Sequence, residues 1–413
     1  MRKYAPVIRW LNILAMIGCG GAVIASFLGR HHWFLDLFSH FQLQYFAILL
    51  GIAIIFAILR SWKLLAATAL VLLPSAFQSA YYLPVASPSS IPAAFRVTSH
   101  NVLTSNSGFA EVLNYHQRSD AEIIVLLEIN DAWVENLSPL INSHPHRIIL
   151  PREDNFGIAL YSSFPITAQT TDTLPPGIPV LSATIATHQG PVHIIAAHPI
   201  PPMGAAYQRA RNAYLHQVAG MANQQDGPTI VLGDFNSSPW SPAFRDLVRS
   251  TGLRDSGRHR GFQSTWNRHH PLKSIPIDHV LHTPDLQVFD RHIGPGLGSD
   301  HHPVHVTFSV GARQDHKERR TVAARRHAQR DAHAHLVPPS RAGARRTPLL
   351  EARQATRMAS WKTFARRSTP ASGAPLPVLF RVSPPLPSDR ENSRDGTPSG
   401  FRCPRPIGSP RSP

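Results

Sequence analysis

Six short apolar runs in the middle of the chain end in polar side chains of the kinds that bind metal ions and move protons. They end in Ser-His-Asn, Leu-Leu-Glu, Ala-Ala-His, Leu-Gly-Asp-Phe-Asn, Pro-Ile-Asp and Gly-Ser-Asp-His, and the polar residues concerned are Asn101, Glu128, His198, Asp234, Asn236, Asp278, Asp300 and His301. Carboxylate and amide oxygens suit a hard cation such as Mg²⁺, and histidines suit phosphate and water. Strands that each end in such a group predict an active site, formed by the strand ends, for metal-dependent phosphoester hydrolysis.

Glu128 is the metal ligand that the sequence favours most. It ends the run Ile-Ile-Val-Leu-Leu, and a carboxylate in so apolar a setting is strongly disfavoured unless a positive charge meets it. The alternative is a surface glutamate or a neighbour of a helix N-cap. Asn101 offers a neutral oxygen that can join the metal shell or orient Glu128, although taken alone it is typical of a turn. Asp300 is the third residue expected to reach the metal.

His301 is the candidate for acid–base catalysis, with Asp278 as its partner. A carboxylate bonded to one ring nitrogen fixes the tautomer and favours the imidazolium. His198 is expected to contact the scissile phosphate and to spread the developing charge. The chain holds 24 histidines, so any single one is more often exposed than catalytic. Three further histidines are interpreted as structural or rim residues: His279, His302 and His305.

The net charge of +16 comes almost entirely from the end of the chain. Of 41 Lys and Arg and 25 Asp and Glu, 21 and 7 respectively follow residue 310, so the first 310 residues carry a net charge of only +2. The basicity is therefore no evidence for a nucleic-acid substrate. Some arginines of the middle region are candidates for holding a smaller phosphate ligand or a single strand: Arg209, Arg211, Arg258, Arg260 and Arg268.

Three uncharged apolar runs open the chain, at 10–28, 41–59 and 64–83. About 20 apolar residues span a bilayer as a helix, so the sequence predicts three transmembrane helices that hold the protein in the lipid bilayer. Pro74 weakens the third run. A cleaved signal peptide is the alternative for the first run, but its apolar core is too long and two further runs follow.

Positive charges flank the apolar runs unevenly. Arg2, Lys3 and Arg9 precede the first run, and Arg60 and Lys63 lie in the short second loop. The positive-inside rule then places the N-terminus and the second loop in the cytoplasm. The sequence therefore predicts a multi-pass protein of a bacterial inner membrane whose remainder, after residue 83, is extracytoplasmic and periplasmic in a Gram-negative cell. No feature of the chain indicates an obligate protein partner.

Three further regions follow the membrane region of residues 1–83. Residues 84–94 form a Pro- and Ser-rich linker. Residues 95–310 alternate about ten short β-branched runs with four amphipathic stretches, which predicts two sheets packed face to face with helices outside. Residues 311–413 are Arg-rich, contain 14 prolines and lack apolar periodicity, which predicts a disordered tail. That tail is either a basic arm for anionic lipid or nucleic acid, or a segment without selected function. The chain's two cysteines, Cys19 and Cys403, give the middle region no disulfide framework.

The polar motifs, taken in order along residues 95–310, resemble those of the endonuclease/exonuclease/phosphatase superfamily. The match includes Ser-His-Asn-Val-Leu, Leu-Leu-Glu-Ile, Gly-Asp-Phe-Asn, Ile-Asp-His and Ser-Asp-His, with Phe-Gly-Ile-Ala-Leu-Tyr-Ser-Ser-Phe-Pro and Gly-Phe-Gln-Ser-Thr-Trp between them. With the preceding apolar runs, the whole looks like a membrane-anchored bacterial branch of that superfamily. The resemblance implies an α/β fold, a four-layer sandwich of two packed mixed β-sheets flanked by helices, together with Mg²⁺ or Mn²⁺ and hydrolysis of phosphodiesters or phosphomonoesters.

The same resemblance implies roles for the Gly-Asp-Phe-Asn motif. Asp234 is expected to orient or deprotonate the attacking water, and Asn236 to donate to a phosphate oxygen. Taken alone, the motif is equally typical of an ordinary turn with an Asx bond. The predicted substrate is a phosphoester in a nucleotide, a lipid headgroup or a nucleic acid. A DNA or RNA endonuclease and a catalytically silent, membrane-tethered binding protein are the alternatives.

Overall fold

The computed structural model of the protein describes residues 4–85, 94–267 and 269–311. Most of the predicted linker, the predicted disordered tail and Arg268 lie outside these residues. Residues 4–82 are almost wholly helical, and the helices are α1 (Ala5–Phe27), α2 (Trp33–Leu37), α3 (Gln42–Ile58) and α4 (Trp62–Ser79). Short 3-10 turns connect α2 to α3 and follow α4.

Among the residues that the structure describes, three helical stretches are long and apolar enough to cross a membrane: Ala5–Phe27, Trp33–Ile58 and Trp62–Tyr82. They overlap the three predicted runs, and α4 continues through Pro74. The helices pack on one another through Val23 and Phe56, among other apolar side chains. Their outer faces leave large apolar residues exposed, including Leu14 and Phe77. A water-soluble surface rarely carries so much apolar area, whereas lipid covers it at no cost.

The middle region consists of two six-stranded sheets packed face to face. The sheets have the strand orders β11-β12-β1-β2-β4-β3 and β5-β6-β7-β8-β10-β9. The strands are β1 (Phe95–Asn101), β2 (Ile123–Leu127), β3 (His146–Leu150), β4 (Ile158–Ser162), β5 (Ile166–Leu174), β6 (Ile178–Thr187), β7 (Gly190–Ala197), β8 (Thr229–Asp234), β9 (Arg254–Asp255), β10 (Asp278–His282), β11 (Leu286–Ile293) and β12 (Val304–Val310). Helices cover the outer faces: α5 (Phe109–Arg118), α6 (Asp131–Asn136), α7 (Ala205–Asn223) and α8 (Pro242–Thr251).

The continuous apolar run of β2 follows from burial on both of its faces. Val125 and Leu127 point into the core between the two sheets, whereas Ile124 and Leu126 point into the core under the helices. Strands buried on both faces read as uninterrupted apolar runs, because neither face meets water. The four-layer α/β sandwich predicted from the sequence is therefore confirmed.

Each sheet contains one parallel strand pair, β1 with β2 and β7 with β8. Within a parallel pair the carboxyl ends meet at the same edge of the sheet. Asn101 pairs with Leu127, so the residue that follows β2 lies beside the end of β1. Strand β10 runs antiparallel to β8 and places its first residue, Asp278, opposite Asp234. This topology gathers the ends of β1, β2, β7 and β8 and the start of β10 on one side of the sandwich.

Two observed strands have no counterpart among the predicted ones. Strand β5 lies at a sheet edge and is largely exposed, and its run Ile-Thr-Ala-Gln-Thr-Thr-Asp-Thr-Leu has no apolar alternation. Strand β9 contains only two residues. A sequence pattern detects a strand through its buried face, so edge and very short strands escape it.

A group of buried histidines lies between β1, α5 and β12. His100 Nδ1 is 3.2 Å from His116 Nε2, and Thr98 Oγ1 is 2.8 Å from His305 Nδ1. Burial lowers the pKa of His116 to about 3 and that of His305 to about 4. His305 is thus a buried residue bonded to Thr98.

Acidification from pH 8 to pH 5 is expected to destabilise the fold through these histidines. His116 stays neutral in the folded chain but takes a proton near pH 6.5 once unfolded, so its stabilisation is complete above pH 6.5 and decreases as the pH falls towards about 3. At pH 5 the loss is about 2 kcal/mol for His116. Thermal unfolding of the detergent-solubilised full chain tests this. His116→Gln should flatten the pH dependence, and His216→Gln, on the exposed face of α7, should not. Equal slopes for the wild type and His116→Gln would contradict the prediction.

Candidate active site

Glu128 lies directly after β2 in a left-handed backbone conformation, with φ of 63°. Its backbone N–H donates to Gly157 O at 2.8 Å, and a Cβ on Gly157 would lie 1.7 Å from Ile129 O. Only glycine therefore allows this close approach. A non-glycine residue at positive φ persists where its surroundings hold it, and such residues cluster at functional sites. The turn directs the Glu128 carboxylate into the space at the strand ends.

Asn101 and Thr104 hold the Glu128 carboxylate. Asn101 Nδ2 donates to Glu128 Oε1 at 2.9 Å, and Thr104 N donates to Oε2 at 3.2 Å. The Asn101 amide oxygen accepts from Leu103 N at 3.1 Å. Asn101 thus occupies the orienting position that the sequence allowed for it. Burial raises the pKa of Glu128, and a nearby cation would oppose that effect.

Asp234 is the most connected carboxylate at these strand ends. Its Oδ2 lies 3.5 Å from His198 Nε2, 3.7 Å from His301 Nε2 and 3.4 Å from Asn101 Nδ2. Its Oδ1 accepts from Asn236 N at 2.8 Å. Burial would raise the pKa of Asp234, but His198 and His301 lower it below its ordinary value. The carboxylate therefore remains ionised and able to accept a proton from water.

His301 and Asp278 form a buried dyad. His301 Nδ1 lies 2.8 Å from Asp278 Oδ2, and the dyad is braced by Thr265 Oγ1, which accepts from Asp278 N at 3.0 Å. Burial would lower the pKa of His301, but the carboxylates of Asp278 and Asp234 raise it to about 10. His301 is therefore an imidazolium at neutral pH, with its second nitrogen directed towards Asp234.

His198 follows β7 and lies between two carboxylates. Its Nε2 is 3.5 Å from Asp234 Oδ2 and 4.0 Å from Glu128 Oε1. Burial would lower the pKa of His198, but hydrogen bonding to Asp234 and the charges of Asp234 and Glu128 raise it above its ordinary value. The Phe156 ring lies against the imidazole, with centroids 5.3 Å apart. An imidazole in this place can donate to a phosphate oxygen.

Asp300 lies at the border of this network. Its Oδ2 accepts from Trp266 Nε1 at 2.9 Å. Its Oδ1 is buried and has no hydrogen-bond donor among the described residues. The structure thus joins seven of the eight predicted residues by direct contacts, and Asp300 adjoins them through its neighbour His301.

The residues present fit a divalent cation. Asp234, Asp278 and His301 each have a ligand atom within 4.8 Å of the other two, although His301 could bind a cation only as the neutral imidazole, which leaves the two carboxylates as the donors. Several buried carboxylates share this space, and burying so much like charge is costly unless a cation compensates it. The unpartnered Asp300 Oδ1 is an oxygen that such a cation would satisfy. The tightest grouping differs from the trio expected from the sequence, which consists of Glu128, Asn101 and Asp300.

Some residues that support the site were not singled out in the sequence. Ser299 Oγ donates to Asn101 O at 2.7 Å and accepts from His301 N at 3.0 Å, which ties the end of β1 to the segment before β12. Thr265, Trp266 and Ser299 belong to motifs that carry the family resemblance, so their positions were signalled although their roles were not. Thr104 has no such signal, because only its proximity in space to Glu128 gives it a role.

The arginines expected to hold a phosphate ligand point elsewhere. Arg211 is fully buried and pairs with Asp36 at 2.5 Å. Arg260 donates to Val288 O and Phe289 O at 2.7 and 3.0 Å. The Arg258 guanidinium lies over the Tyr81 ring, 5.6 Å from its centroid. The remaining described member of the set, Arg209, is exposed on α7.

Comparison with known proteins agrees with the motif resemblance. Residues 98–301 match the model of the Endonuclease/Exonuclease/phosphatase family. No curated protein sequence matches the chain.

Solved structures similar to this chain share low identity with it. An endonuclease/exonuclease/phosphatase from Beutenbergia cavernae is 19% identical over 54% of this chain and 72% of its own, with a TM-score of 0.45. Sphingomyelinase C from Streptomyces griseocarneus is 13% identical over 52% of this chain and 99% of its own, with a TM-score of 0.41. The human Nocturnin catalytic domain is 17% identical over 52% of this chain and 94% of its own, with a TM-score of 0.42.

Proposed function

Because this chain belongs to the endonuclease/exonuclease/phosphatase family through residues 98–301, we propose that it is a membrane-anchored, divalent-metal-dependent phosphoester hydrolase. Members of the family are hydrolases that act on phosphoester bonds. The observation that carries the proposal is the buried His301–Asp278 dyad, whose free nitrogen lies 3.7 Å from Asp234 Oδ2. An imidazolium beside an ionised carboxylate brings a proton donor and a proton acceptor together at the strand ends.

In the proposed reaction, Asp234 orients the attacking water and accepts its proton. Asn236 and His198 donate to the oxygens of the phosphate, and His301, held by Asp278, stabilises the developing charge and supplies the proton for the leaving oxygen. Glu128, Asn101 and Asp300, with the oxygens of Asp234 and Asp278 nearby, are the residues that would hold Mg²⁺ or Mn²⁺. When bound, such an ion neutralises phosphate oxygens and lowers the barrier to attack by an anionic nucleophile.

The proposed location is a bacterial inner membrane, with the catalytic domain on the extracytoplasmic side. Three apolar helices support the membrane anchor. The asymmetry of Lys and Arg in the sequence supports the orientation. A phosphatase reporter that is active only outside the cytoplasm, fused after residue 310, should show activity. Activity only from a reporter that works in the cytoplasm would overturn this orientation.

A substrate panel on the full chain tests the proposed activity. The protein, purified in detergent and freed of metal with EDTA, would be assayed with Mg²⁺ or Mn²⁺ on bis(4-nitrophenyl) phosphate, 4-nitrophenyl phosphate, nucleotides, dispersed phospholipids and supercoiled plasmid. We expect metal-dependent release from at least one small phosphoester, abolished by EDTA. Plasmid nicking without small-ester cleavage would instead support an endonuclease. A folded, metal-treated protein inert on every substrate would contradict the proposal and support a silent binding protein.

A further inference from the structure

A buried ion pair joins the membrane region to the catalytic domain. Asp36 lies in α2, in the connection between helices α1 and α3, and Arg211 lies in α7 of the domain. Arg211 Nη2 is 2.5 Å from Asp36 Oδ2, and the two side chains are 0% and 1% exposed. Gln208 Nε2 lies 3.3 Å from the same carboxylate oxygen. Forming so buried an ion pair costs desolvation free energy. Removing one partner destabilises the protein strongly, because the other charge would remain buried and unpaired.

The guanidinium that pairs with Asp36 also holds the loop that follows β8. Arg211 Nη1 donates to Asn236 O at 3.2 Å and lies 3.4 Å from Ser237 Oγ. The planar guanidinium presents several donors in a fixed arrangement, so one side chain can bond to both Asp36 and this backbone carbonyl. The position of Asn236 is thereby linked to Asp36.

A second residue of the membrane region reaches the same loop. His40 is buried, and its Nδ1 accepts from Ser238 N at 3.2 Å and lies 3.0 Å from Ser238 Oγ. The segment Asn236–Ser238 is thus bonded at both of its ends to groups fixed by the first connection between the membrane helices.

The conformation of Asn236 depends on such restraints. Its backbone is left-handed, with φ of 48°, its N–H donates to Asp234 Oδ1, and its side chain donates to Pro199 O at 3.0 Å. A non-glycine residue in this conformation is retained only where the surrounding structure holds it. Release of the Asn236 carbonyl would therefore move the N–H that orients Asp234.

We propose that Asp36 and His40 are positioning residues of the active site, which fix Asp234 and Asn236 through Arg211 and Ser238. The first connection between the membrane helices is then a structural part of the catalytic domain, and the site is complete only when both regions are present. This inference rests on the proposed hydrolase function for its effect on turnover. The contacts themselves are independent of that function.

Two variants in the full chain separate positioning from folding. Arg211→Lys keeps a cation for Asp36 but loses the additional donors that reach Asn236, and Asp36→Asn removes the charge that fixes the guanidinium. Asp246→Asn is the matched control, since Asp246 pairs with Arg30 of the same connection at 2.7 Å, but on the exposed face of α8. All three would be compared with the wild type in detergent by kcat, KM and thermal midpoint.

We expect Arg211→Lys and Asp36→Asn to lower kcat about 10- to 100-fold with a smaller change in KM, as small misplacements of catalytic groups do. Hydrogen exchange of the backbone amides at 235–241 should become faster in both variants and stay unchanged in Asp246→Asn. If Asp36→Asn fails to fold, the comparison of Arg211→Lys with Asp246→Asn alone tests the positioning role. The inference would be overturned if the wild type is active and Arg211→Lys has the same kcat and the same exchange rates as Asp246→Asn. If the wild type is inert on every substrate, the proposed function fails, and the exchange rates alone decide the coupling.

Discussion

Replacing His301 by asparagine is expected to lower kcat by about 10²- to 10⁴-fold, the range typical of a lost general acid or base. The imidazole lies between Asp278 Oδ2 at 2.8 Å and Asp234 Oδ2 at 3.7 Å, and an asparagine cannot carry the charge that both carboxylates stabilise. The measurement is steady-state hydrolysis of the best substrate in the panel by the full chain. His302→Asn is the matched control, because the His302 side chain bonds to Gly294 O through Nδ1 and has no described hydrogen bond to either member of the dyad.

The partner of His301 provides a second readout in the same experiment. The Asp278 carboxylate raises the pKa of His301, so Asp278→Asn should move the alkaline limb of the kcat profile to lower pH, because the imidazolium is then lost earlier. A histidine with a raised pKa is charged below that value and loses its charge as the pH rises through it. Unchanged kcat in His301→Asn, or an unmoved alkaline limb in Asp278→Asn, would contradict the proposed role of the dyad.

Glu128→Gln is expected to reduce hydrolysis by on the order of 10³-fold, since the cation contributes several kcal/mol of transition-state stabilisation. Glutamine preserves the shape and can still occupy the left-handed turn after β2, so the change removes the negative charge rather than the fold. Part of the loss should be recovered at high Mn²⁺ concentration if metal affinity is what falls. Glu135→Gln, on the exposed face of α6, serves as the control. Full activity in Glu128→Gln at low Mn²⁺ would exclude Glu128 as a metal ligand.

The sequence predicts the two-sheet sandwich and the clustering of polar residues at the strand ends, because both predictions use patterns within short segments of the chain. A doubly buried strand such as β2 is an uninterrupted apolar run, and a polar residue directly after it, such as Glu128, must be used or compensated. Parallel pairing then brings Asn101 beside the end of β2. These inferences need only the positions of the strand ends and the order of the strands along the chain, and a single sequence provides both.

The remaining features depend on contacts between distant positions. Arg211 reads as a surface arginine suited to phosphate, because nothing near it in the sequence indicates a partner 175 positions earlier. Asp300 reads as a metal ligand, and the Trp266 indole that occupies one of its oxygens is 34 positions away. Amphipathic helices such as α7 show which face is buried but not what covers it, so the docking of the membrane region could not be anticipated.

Manganese binding to the full chain shows whether these strand ends hold a catalytic cation. Free Mn²⁺ would be followed by its electron paramagnetic resonance signal during titration of the metal-free protein in detergent, with the wild type, Glu128→Gln and Glu135→Gln compared. We expect saturable binding to the wild type and to Glu135→Gln, and clearly weaker binding to Glu128→Gln. Equal binding by all three proteins, or no saturable binding by the folded wild type, would contradict it.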